Sequence, residues 1–370
     1  MAKMMSGLGR SLAQALRAPQ IRAPAFQYAR LACGRSLHTT AAVTAAAPAS
    51  PRHFLSIADV SPGELVALVT AAQRAKHAIK GGNSVPSNLL DSLSGKTVAI
   101  MFSKRSTRTR ISTEGAVVYM GGHPMFLGKE DIQLGVNESL YDTSKVISSM
   151  TSCIVARVGQ HKDITELAKS SSVPVINALS DAFHPMQAIA DMLTIAEARD
   201  YQNLAGLKVA WVGDANNVLY DLALACSKFG INVSAATPAG YDVDPSIWKL
   251  VEDSCRETGA SIETVHEPEL AVKNADFIVT DTWVSMGQEE EKLKRLKDFA
   301  GFQITNELAS RGGAKPDWKF MHCLPRKPEE VSDEVFYSPR SLVFNEAENR
   351  LYAAIAALEA FVVDEGNILV

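Results

Sequence analysis

Long apolar runs are missing from this sequence of 370 residues, in which no stretch of about 18 or more consecutive apolar residues occurs. Because a transmembrane helix needs about 20 such residues, no membrane span is expected. Aromatic residues are also few, at 7%, but 46% hydrophobic and 21% charged residues make an average globular composition. This composition argues against disorder, collagen or a coiled coil, and the length allows about two to three domains.

Cysteine is scarce, with five in the chain. The five show neither the close pairing of a disulfide framework nor the spacing of metal ligands, so they suit a reducing compartment. No other set of His, Cys, Asp and Glu residues has convincing metal-site spacing, and we predict no metal and no other cofactor. The five are Cys33, Cys153, Cys226, Cys255 and Cys323.

The motifs of nucleotide-binding proteins are absent. A strand pattern at Val209–Val212 is followed by G-D-A-N-N at 213–217, which lacks the second and third glycines that let a backbone approach a pyrophosphate. No G-x-x-x-x-G-K-[ST] sequence occurs, so a Walker-type nucleoside triphosphate site has no support. These absences argue against a nicotinamide dehydrogenase built on residues 209–217.

Acidic residues are absent from residues 1–50, which hold one Lys and five Arg. The stretch is rich in Ala, Ser and Leu and has a plausible amphipathic helix pattern, which is typical of a mitochondrial transit peptide. An ordinary disordered basic tail is the alternative. We expect residues 1–45 to be a transit peptide and the protein to work in the mitochondrial matrix.

The rest of the chain is acidic. Without the six N-terminal cations, 31 Lys and Arg face 41 Asp and Glu, a formal net charge of −10, which argues against nucleic-acid binding. A charged segment at 287–301 has acidic residues first and basic residues last, as a helix dipole prefers. We interpret it as a solvated surface helix.

Apolar runs of strand length alternate with amphipathic stretches of helix length from Phe54 onward. This order is typical of parallel sheets covered by helices on both faces. The predicted fold class is therefore α/β, with two doubly wound parallel-sheet lobes. Predicted strands are 97–102, 152–158, 173–178, 209–212, 233–236, 277–280 and 319–323, and predicted helices include 107–120, 138–149 and 164–169.

The pattern loosens around 200–206, after a long helix that begins near Pro185, and a fresh alternation of strands and helices follows. We therefore predict two lobes with a cleft between them. The first lobe is 52–185, and the second, 186–345, includes the long helix. A last helix pattern within 346–365 must bury its Ala and Leu face on one of the lobes. The pattern alone does not say which lobe.

Four cations and four hydroxyls share the segment F-S-K-R-S-T-R-T-R at 102–110, between a predicted strand and a predicted helix. Free N–H groups and the positive end of the helix dipole meet at such a junction, so hydroxyls and guanidinium groups placed there can cradle an anion. Phosphate is the natural ligand. The alternative is that Ser106 only caps the helix and the cations face solvent.

Two further groups suit a phosphorylated or carbonyl-bearing substrate. His184 and Gln187 lie one turn apart at a predicted helix start, where imidazole and amide can point the same way toward a polarised carbonyl. His184 could equally be a simple cap. Arg157 ends a predicted strand and could clamp an anion bidentately, or it could form a structural ion pair.

Polar residues also follow the strand patterns of the second lobe. Asn217, Asp281 and Cys323 stand at carboxyl ends of predicted strands, where open α/β sheets place their ligand sites. The thiol of Cys323 has His322 and Arg326 close in sequence. Either its pKa is lowered by them, or it is an inert buried thiol.

Three motifs occur together in one order: S-T-R-T-R at 106–110, H-P-x-Q at 184–187 and H-C-L-P-R at 322–326. In this the chain resembles the aspartate/ornithine carbamoyltransferase family. A fourth segment, D-x-x-x-S-M-G at 281–287, is similar to the ornithine-specific branch. The likeness extends from Phe54 to the C-terminus.

The resemblance implies a carbamoyl phosphate lobe at 52–185, to which the helix at 346–365 returns, and an ornithine lobe at 186–345, joined by interdomain helices. It implies a homotrimer with active sites at the subunit borders, where Gln133 reaches a neighbouring site. The implied carbamoyl phosphate ligands are Ser106, Thr107, Arg108, Thr109, Gln133, Arg157, His184 and Gln187. The implied ornithine ligands are Asn217, Asp281, Ser285, Met286, Cys323, Leu324 and Arg350.

The implied reaction moves the carbamoyl group of carbamoyl phosphate to the δ-amine of L-ornithine, giving L-citrulline and phosphate, as in arginine biosynthesis or a urea cycle. Arg108 and His184 would stabilise developing charge, while Asp281 and Cys323 would hold the amino acid. Cys323, as thiol or thiolate, would orient the amine and take its proton. Putrescine or N-acetylornithine as acceptor, and a non-catalytic phosphometabolite-binding protein, are the alternatives.

Overall fold

Two parallel β-sheets organise the chain in the computed structural model, which describes residues 50–82, 84–132, 138–284 and 289–369. The strands of the first sheet are β1 (Thr97–Phe102), β2 (His123–Gly128), β3 (Cys153–Arg157) and β4 (Val175–Leu179). Their order is β2-β1-β3-β4, and all pairs are parallel. The accompanying helices are α1 (Pro62–Gly82), α2 (Thr107–Tyr119), α3 (Leu140–Met150), α4 (His161–Ser170) and α5 (Pro185–Ala198).

The second sheet follows α5 along the chain. Its strands are β5 (Lys208–Val212), β6 (Asn232–Ala236), β7 (Ile262–Val265), β8 (Phe277–Thr280) and β9 (Lys319–His322). Their order is β7-β6-β5-β8-β9, again all parallel. The accompanying helices are α6 (Asn217–Lys228), α7 (Pro245–Thr258), α8 (Pro268–Val272), α9 (Lys292–Asp298), α10 (Asn306–Gly312), α11 (Asp333–Phe336) and α12 (Val343–Leu358).

The central strands are apolar on both faces, as expected for parallel sheets covered by helices. Residues 98–102 of β1 are all buried, and the chain then turns into α2, which Ser106 caps by accepting a hydrogen bond from the Thr109 N–H at 3.3 Å. The cation-rich segment is thereby fixed at the carboxyl end of the sheet. The same edge carries Arg157, the last residue of β3.

The predicted α/β class with two doubly wound sheets is confirmed. The predicted strand at 97–102 coincides with β1, whereas β2 and β7 were not predicted. Both are edge strands. An edge strand need not be apolar on two faces, so β2, with Pro124 and Gly128, and β7, with exposed Glu263, give weak strand signals.

Helices α5 and α12 join the two lobes. Helix α5 packs on α1 and β4 on one side and on α6 on the other, and α12 packs on α1, α2 and α5 and also contacts β9. Both helices are buried along most of their length. Within the ranges that the structure describes, no helix combines the length and apolarity needed to cross a bilayer.

The prediction of a solvated surface helix at 287–301 is correct only in part. It contains α9, but Arg295 in that helix is buried and forms an ion pair with Asp214. Its Nε also donates to the Trp283 carbonyl at 2.5 Å. The prediction was wrong for Arg295 because charge order along a helix does not reveal a buried carboxylate more than 80 residues earlier in the chain.

Candidate active site

A cleft of about 1010 Å³ opens between the carboxyl edges of the two sheets. One wall is the cation-rich segment that starts α2, together with Arg157 and His184. The other wall is formed by the residues that follow β5, β8 and β9. The walls touch where the Arg108 guanidinium donates to the Leu324 carbonyl at 2.5 Å. The structure thus brings the two predicted groups of site residues face to face.

The segment at the start of α2 presents hydroxyls and cations to the cleft, and among the cations are the guanidinium groups of Arg105 and Arg108. The Ser106 and Thr109 hydroxyls lie 3.0 Å apart, and Ser106, Thr107, Arg108 and Thr109 all line the cleft. Ser106 does cap the helix, so that part of the alternative is correct. The idea that the cations only face solvent is wrong for Arg108, whereas Arg110 is exposed and paired with Glu114.

Three arginines, Arg108, Arg157 and Arg350, converge on the α2 side of the cleft. Arg157 is 7% exposed and Arg350 is 2% exposed, and among the described residues no carboxylate pairs with Arg157, whose Nε has no partner. Burial, then the charges of Arg350 and Arg108, lowers the pKa of Arg157 to about 10. Burial also lowers the pKa of Arg350 to about 10. Such a cluster attracts an anion, and the structural ion pair considered for Arg157 is absent from the described residues.

His184 and Gln187 lie at the start of α5 beside Arg350. Arg350 Nη1 donates to Gln187 Oε1 at 2.5 Å, and this Nη1 also lies 3.5 Å from His184 Nε2. His184 is the N-cap residue of α5, as the cap alternative requires, but its side chain makes no capping bond, so capping does not account for the imidazole. Burial and then the three arginines (Arg350, Arg157 and Arg108) lower its pKa well below the usual value, so the imidazole is neutral. With Nε2 accepting from Arg350, Nδ1 carries the proton, and it has no partner within the described ranges.

The backbone of His184 is held by a carboxylate of the second lobe. Asp221, on α6, accepts from the His184 N–H at 2.7 Å. The same carboxylate accepts from the Ile57 N–H at 2.9 Å and from the Ser56 hydroxyl at 3.0 Å. One buried group therefore ties the backbone at the start of α5 to both lobes.

The ornithine-side predictions meet at Asp281. The Cys323 thiol donates to Asp281 Oδ1 at 3.1 Å, and Asn216 Nδ2 donates to Oδ2 at 2.9 Å. Asn217 also lines the cleft, and its amide donates to the Ser180 carbonyl at 2.5 Å. The carboxylate therefore sits at the centre of this wall with the thiol beside it.

Cys323 is a thiol, and the lowered-pKa alternative is wrong. Burial raises the pKa of Cys323 well above its usual value, and the charges of Asp281 and Glu346 raise it further. Arg326 turns away to the Val331 carbonyl and Asp333. Nearness in sequence was misleading because the residues after β9 point in different directions.

Asp281, His322 and Cys323 bring three metal-type ligand atoms within 4.8 Å of one another. The His322 ring is fully engaged, since Nδ1 accepts from the Leu324 N–H at 2.9 Å and Nε2 faces Glu330 at 3.1 Å. A metal needs a free imidazole lone pair. The donor set therefore does not fit a metal ion in this conformation.

Sequence reasoning missed several residues of the site. Asn216 donates a hydrogen bond to Asp281, while Asp191 and Glu346 accept hydrogen bonds from the amide of Gln187. The available signal was spacing: Asp191 lies four residues after Gln187, and Glu346 lies four residues before Arg350, so each pair shares a helix face. The predicted site residues Gln133, Ser285 and Met286 lie outside the described residues.

Two family models match the chain. The model of the aspartate/ornithine carbamoyltransferase carbamoyl-P binding domain matches residues 52–197, and the model of the Asp/Orn binding domain of the same family matches residues 205–361. Together they cover most of the sequence, and each covers one of the two sheets.

Similar proteins and solved structures carry related names. The mitochondrial ornithine carbamoyltransferase of Emericella nidulans is 66% identical over 333 residues, which is 87% of this chain and 92% of that protein. A crystal structure of the mitochondrial ornithine carbamoyltransferase from Coccidioides immitis has 63% identity and a TM-score of 0.81, covering 86% of this chain and 100% of that one. The ornithine carbamoyltransferase structure from Pyrococcus furiosus has 44% identity and a TM-score of 0.80, covering 85% and 98%.

Proposed function

The chain belongs to the aspartate/ornithine carbamoyltransferase family, and from this we propose how its cleft works. The enzyme transfers the carbamoyl group of carbamoyl phosphate to the δ-amine of L-ornithine, giving L-citrulline and phosphate. The observation that carries this reaction is the contact of Arg108 with the Leu324 carbonyl. It brings the wall that suits an anion against the wall that suits an amine, so two substrates bound there would meet.

Carbamoyl phosphate occupies the wall built by α2 and α5. The hydroxyls of Ser106, Thr107 and Thr109 and the guanidinium groups of Arg108 and Arg157 receive the phosphate. This assignment is supported by their position at a helix start and by the lack of a carboxylate partner for Arg157 in the described residues.

The carbamoyl end lies toward α5. Neutral His184 offers an N–H from Nδ1 to the carbamoyl oxygen, and Gln187 and Arg350 hold the same end. The resemblance groups Arg350 with the ornithine ligands, but its contacts are with Gln187, Thr109 and His184. We therefore place it with carbamoyl phosphate, where donors preset for the developing negative charge supply several kcal/mol without reorganisation.

L-Ornithine occupies the opposite wall. Asp281 receives the α-amino group, with Asn217 beside it, while the Cys323 sulfur and the Leu324 carbonyl lie near the δ-amine. Ser285 and Met286 belong to this proposal but lie outside the described residues. The assignment is supported by the buried carboxylate, which needs a cation to balance its charge.

The amine must be neutral to attack. A free alkyl ammonium has a pKa of about 10.4, so only about one part in several hundred is neutral near pH 8, a cost of about 3 to 4 kcal/mol. The positive charges of the three arginines and desolvation lower that cost, because both disfavour the ammonium form of the amine. The amine then attacks the carbamoyl carbon, the carbon–oxygen bond to phosphate breaks, and the oxygen takes the electron pair. The protonated thiol of Cys323 orients the amine, and the departing phosphate receives the amine proton.

The test of this function is a comparison of three amines. With carbamoyl phosphate present, we expect citrulline from L-ornithine and turnover slower by about 100-fold or more with putrescine or N-acetylornithine, because neither offers both a free α-ammonium and a carboxylate to this wall. Faster turnover of either amine would reassign the substrate. Binding of carbamoyl phosphate without any product would indicate a non-catalytic protein.

Replacing Cys323 with serine tests the role of the thiol. Because the raised pKa keeps the group protonated at neutral pH, the Cys323→Ser hydroxyl preserves the bond to Asp281, and we expect kcat to fall by about 10-fold with an unchanged pH profile. A thiolate base would instead give a fall of about 100- to 10,000-fold and loss of one ionisation from the profile. Steady-state rates measured across pH distinguish the two results.

The protein is mitochondrial, as the names of the similar fungal proteins state for those proteins and as the acid-free composition of residues 1–50 favours. The matrix as its compartment, and residues 1–45 as a transit peptide, remain part of the proposal. So does a homotrimer in which Gln133 reaches a neighbouring site. Exposed apolar side chains at Ile111, Val118 and Met150 support an interface on the first lobe.

A further inference from the structure

Two carboxyl groups lie against each other beneath the active site. Asp191, on α5, is 2% exposed and Glu346, on α12, is 1% exposed, and both carboxyl groups face the same Gln187 amide nitrogen. Gln187 Nε2 donates to Asp191 Oδ1 at 2.7 Å and lies 3.2 Å from Glu346 Oε1. Two buried carboxylates that face one amide nitrogen repel each other when both are ionised, which favours a pair that holds one proton.

The surrounding donors leave room for one proton. Glu346 Oε2 accepts from the His322 N–H at 2.9 Å, and Oε1 faces the Gln187 amide. Asp191 Oδ1 also accepts from that amide. One proton between the two groups satisfies every contact, and a pair without it would place two negative charges together.

The pair dictates how the amide of Gln187 is turned. With Nε2 drawn to the two carboxyls, Oε1 faces Arg350 and accepts from Nη1 at 2.5 Å. The reverse orientation would put an NH2 group against a guanidinium. Arg350 is thereby held where Nη2 lies 3.3 Å from the Thr109 hydroxyl. The contacts run in an unbroken chain from the carboxyl pair to the carbamoyl phosphate wall.

We propose that Asp191 and Glu346, sharing one proton, are a positioning pair that orients Gln187 and Arg350 to receive carbamoyl phosphate. The inference rests on the proposed function and adds to it two residues that touch no substrate. The pair also reaches the other wall, because Glu346 holds the backbone N–H of His322, the neighbour of Cys323.

Loss of the shared proton should weaken the site. Burial raises the pKa of Asp191, and burial and the neighbouring Asp191 raise the pKa of Glu346 well above its usual value. At alkaline pH the pair would become doubly negative, which repels a dianion and pulls Arg350 toward itself. The charged or titratable groups that face the pair are Arg350 on α12, Cys226 on α6, Asp281 after β8, and His322 and Cys323 at the end of β9.

Substitutions at the two positions have unequal expected effects. In Asp191→Asn, the amide oxygen still accepts from Gln187 and the NH2 donates permanently to Glu346, in place of the proton. In Glu346→Gln, the new NH2 group must face another donor, either the His322 N–H or the Gln187 NH2, so one of these two hydrogen bonds is lost. We expect Glu346→Gln to raise the Kd for carbamoyl phosphate by about 30-fold or more, with a much smaller change in KM for ornithine.

The measurement is the Kd for carbamoyl phosphate by titration calorimetry without ornithine, from neutral to alkaline pH. We expect Asp191→Ala to weaken binding by about 30-fold or more and Asp191→Asn to recover at least about ten-fold of that loss. Wild-type binding should weaken with rising pH more steeply than Asp191→Asn binding. Burial lowers the pKa values of Arg157 and Arg350 to about 10, so the slopes are compared at lower pH, where both guanidinium groups stay charged in both proteins, and the difference in slope reports the pair.

Asp276→Asn is the matched control. Asp276 is a buried carboxylate at the amino end of β8, far from the cleft edge, and it pairs with Lys315 at 2.8 Å. This variant should lose thermal stability without changing the Kd or its pH slope. Circular dichroism and Tm establish that each variant is folded. If Glu346→Gln fails to fold, the pH slope of Asp191→Asn binding still tests whether the pair positions Gln187 and Arg350.

The outcomes separate this inference from the proposed function. A wild-type protein that forms no citrulline would overturn the proposed function. An active wild-type enzyme would overturn the pair alone if Asp191→Asn and Asp191→Ala were equally defective with the wild-type pH slope. The positioning role would also be overturned if folded Glu346→Gln bound carbamoyl phosphate as tightly as wild type.

Discussion

Replacing Arg108 with alanine is expected to lower kcat/KM for carbamoyl phosphate by about 1000-fold. The guanidinium lines the cleft at the start of α2 and reaches the Leu324 carbonyl, which is where our proposal has the phosphate and the reacting amine meet. Removing a preset donor from a desolvated site eliminates stabilisation of the charge that develops on the leaving group. Steady-state rates with varied carbamoyl phosphate measure the loss.

The fold should survive this change, because Arg108 is only partly buried and its one described side-chain partner is a carbonyl oxygen. Arg311→Ala is the control: Arg311 is an exposed arginine that pairs with Glu269 and Glu307, and its loss should leave turnover unchanged. Near-normal turnover in a folded Arg108→Ala protein would remove Arg108 from the reaction.

The second large effect is expected for Asp281→Asn, with kcat/KM for ornithine falling by about 100- to 1000-fold. The Asp281 carboxylate already accepts from Cys323 and Asn216, and in our proposal it also receives the α-ammonium of ornithine. An amide has one acceptor oxygen and no charge, so at least one of these donors would meet an NH2 group. Initial rates with varied ornithine measure the change.

Binding of carbamoyl phosphate should change by less than about three-fold in Asp281→Asn, since our proposal places that ligand on the opposite wall. Asp276→Asn again supplies a buried carboxylate control, at the other end of the same strand. If Asp281→Asn altered the Kd for carbamoyl phosphate as strongly as the kinetics of ornithine, the separation of the two substrates onto two walls would be incorrect.

The parts of this molecule that sequence predicts well are those set by local pattern. The apolar run at 97–102 and the polar segment that follows it specify a buried strand and a helix cap together, at the place where we propose an anion site. The convergence of Asp281 and Cys323 also follows from topology, because carboxyl ends of parallel strands share one edge.

The parts that sequence could not predict depend on side-chain direction or on distant partners. The thiol of Cys323 faces Asp281 rather than Arg326. A cation beside the thiol would lower its pKa, whereas the carboxylate raises it. Arg295 is buried because Asp214 lies behind it. The Asp191–Glu346 contact joins helices 155 residues apart in sequence, and no local pattern marks it as one feature.

The measurement that tests the central claim most directly is a crystal structure with both ligands bound. L-Norvaline has the side chain of ornithine without the reacting amine, so it can be trapped together with carbamoyl phosphate. We expect the phosphate within hydrogen-bond distance of Ser106, Arg108 and Arg157, and the α-amino group of norvaline on Asp281, with the chain terminus directed at the carbamoyl carbon. Ligands found on separate surfaces, or a phosphate bound away from the start of α2, would contradict the account.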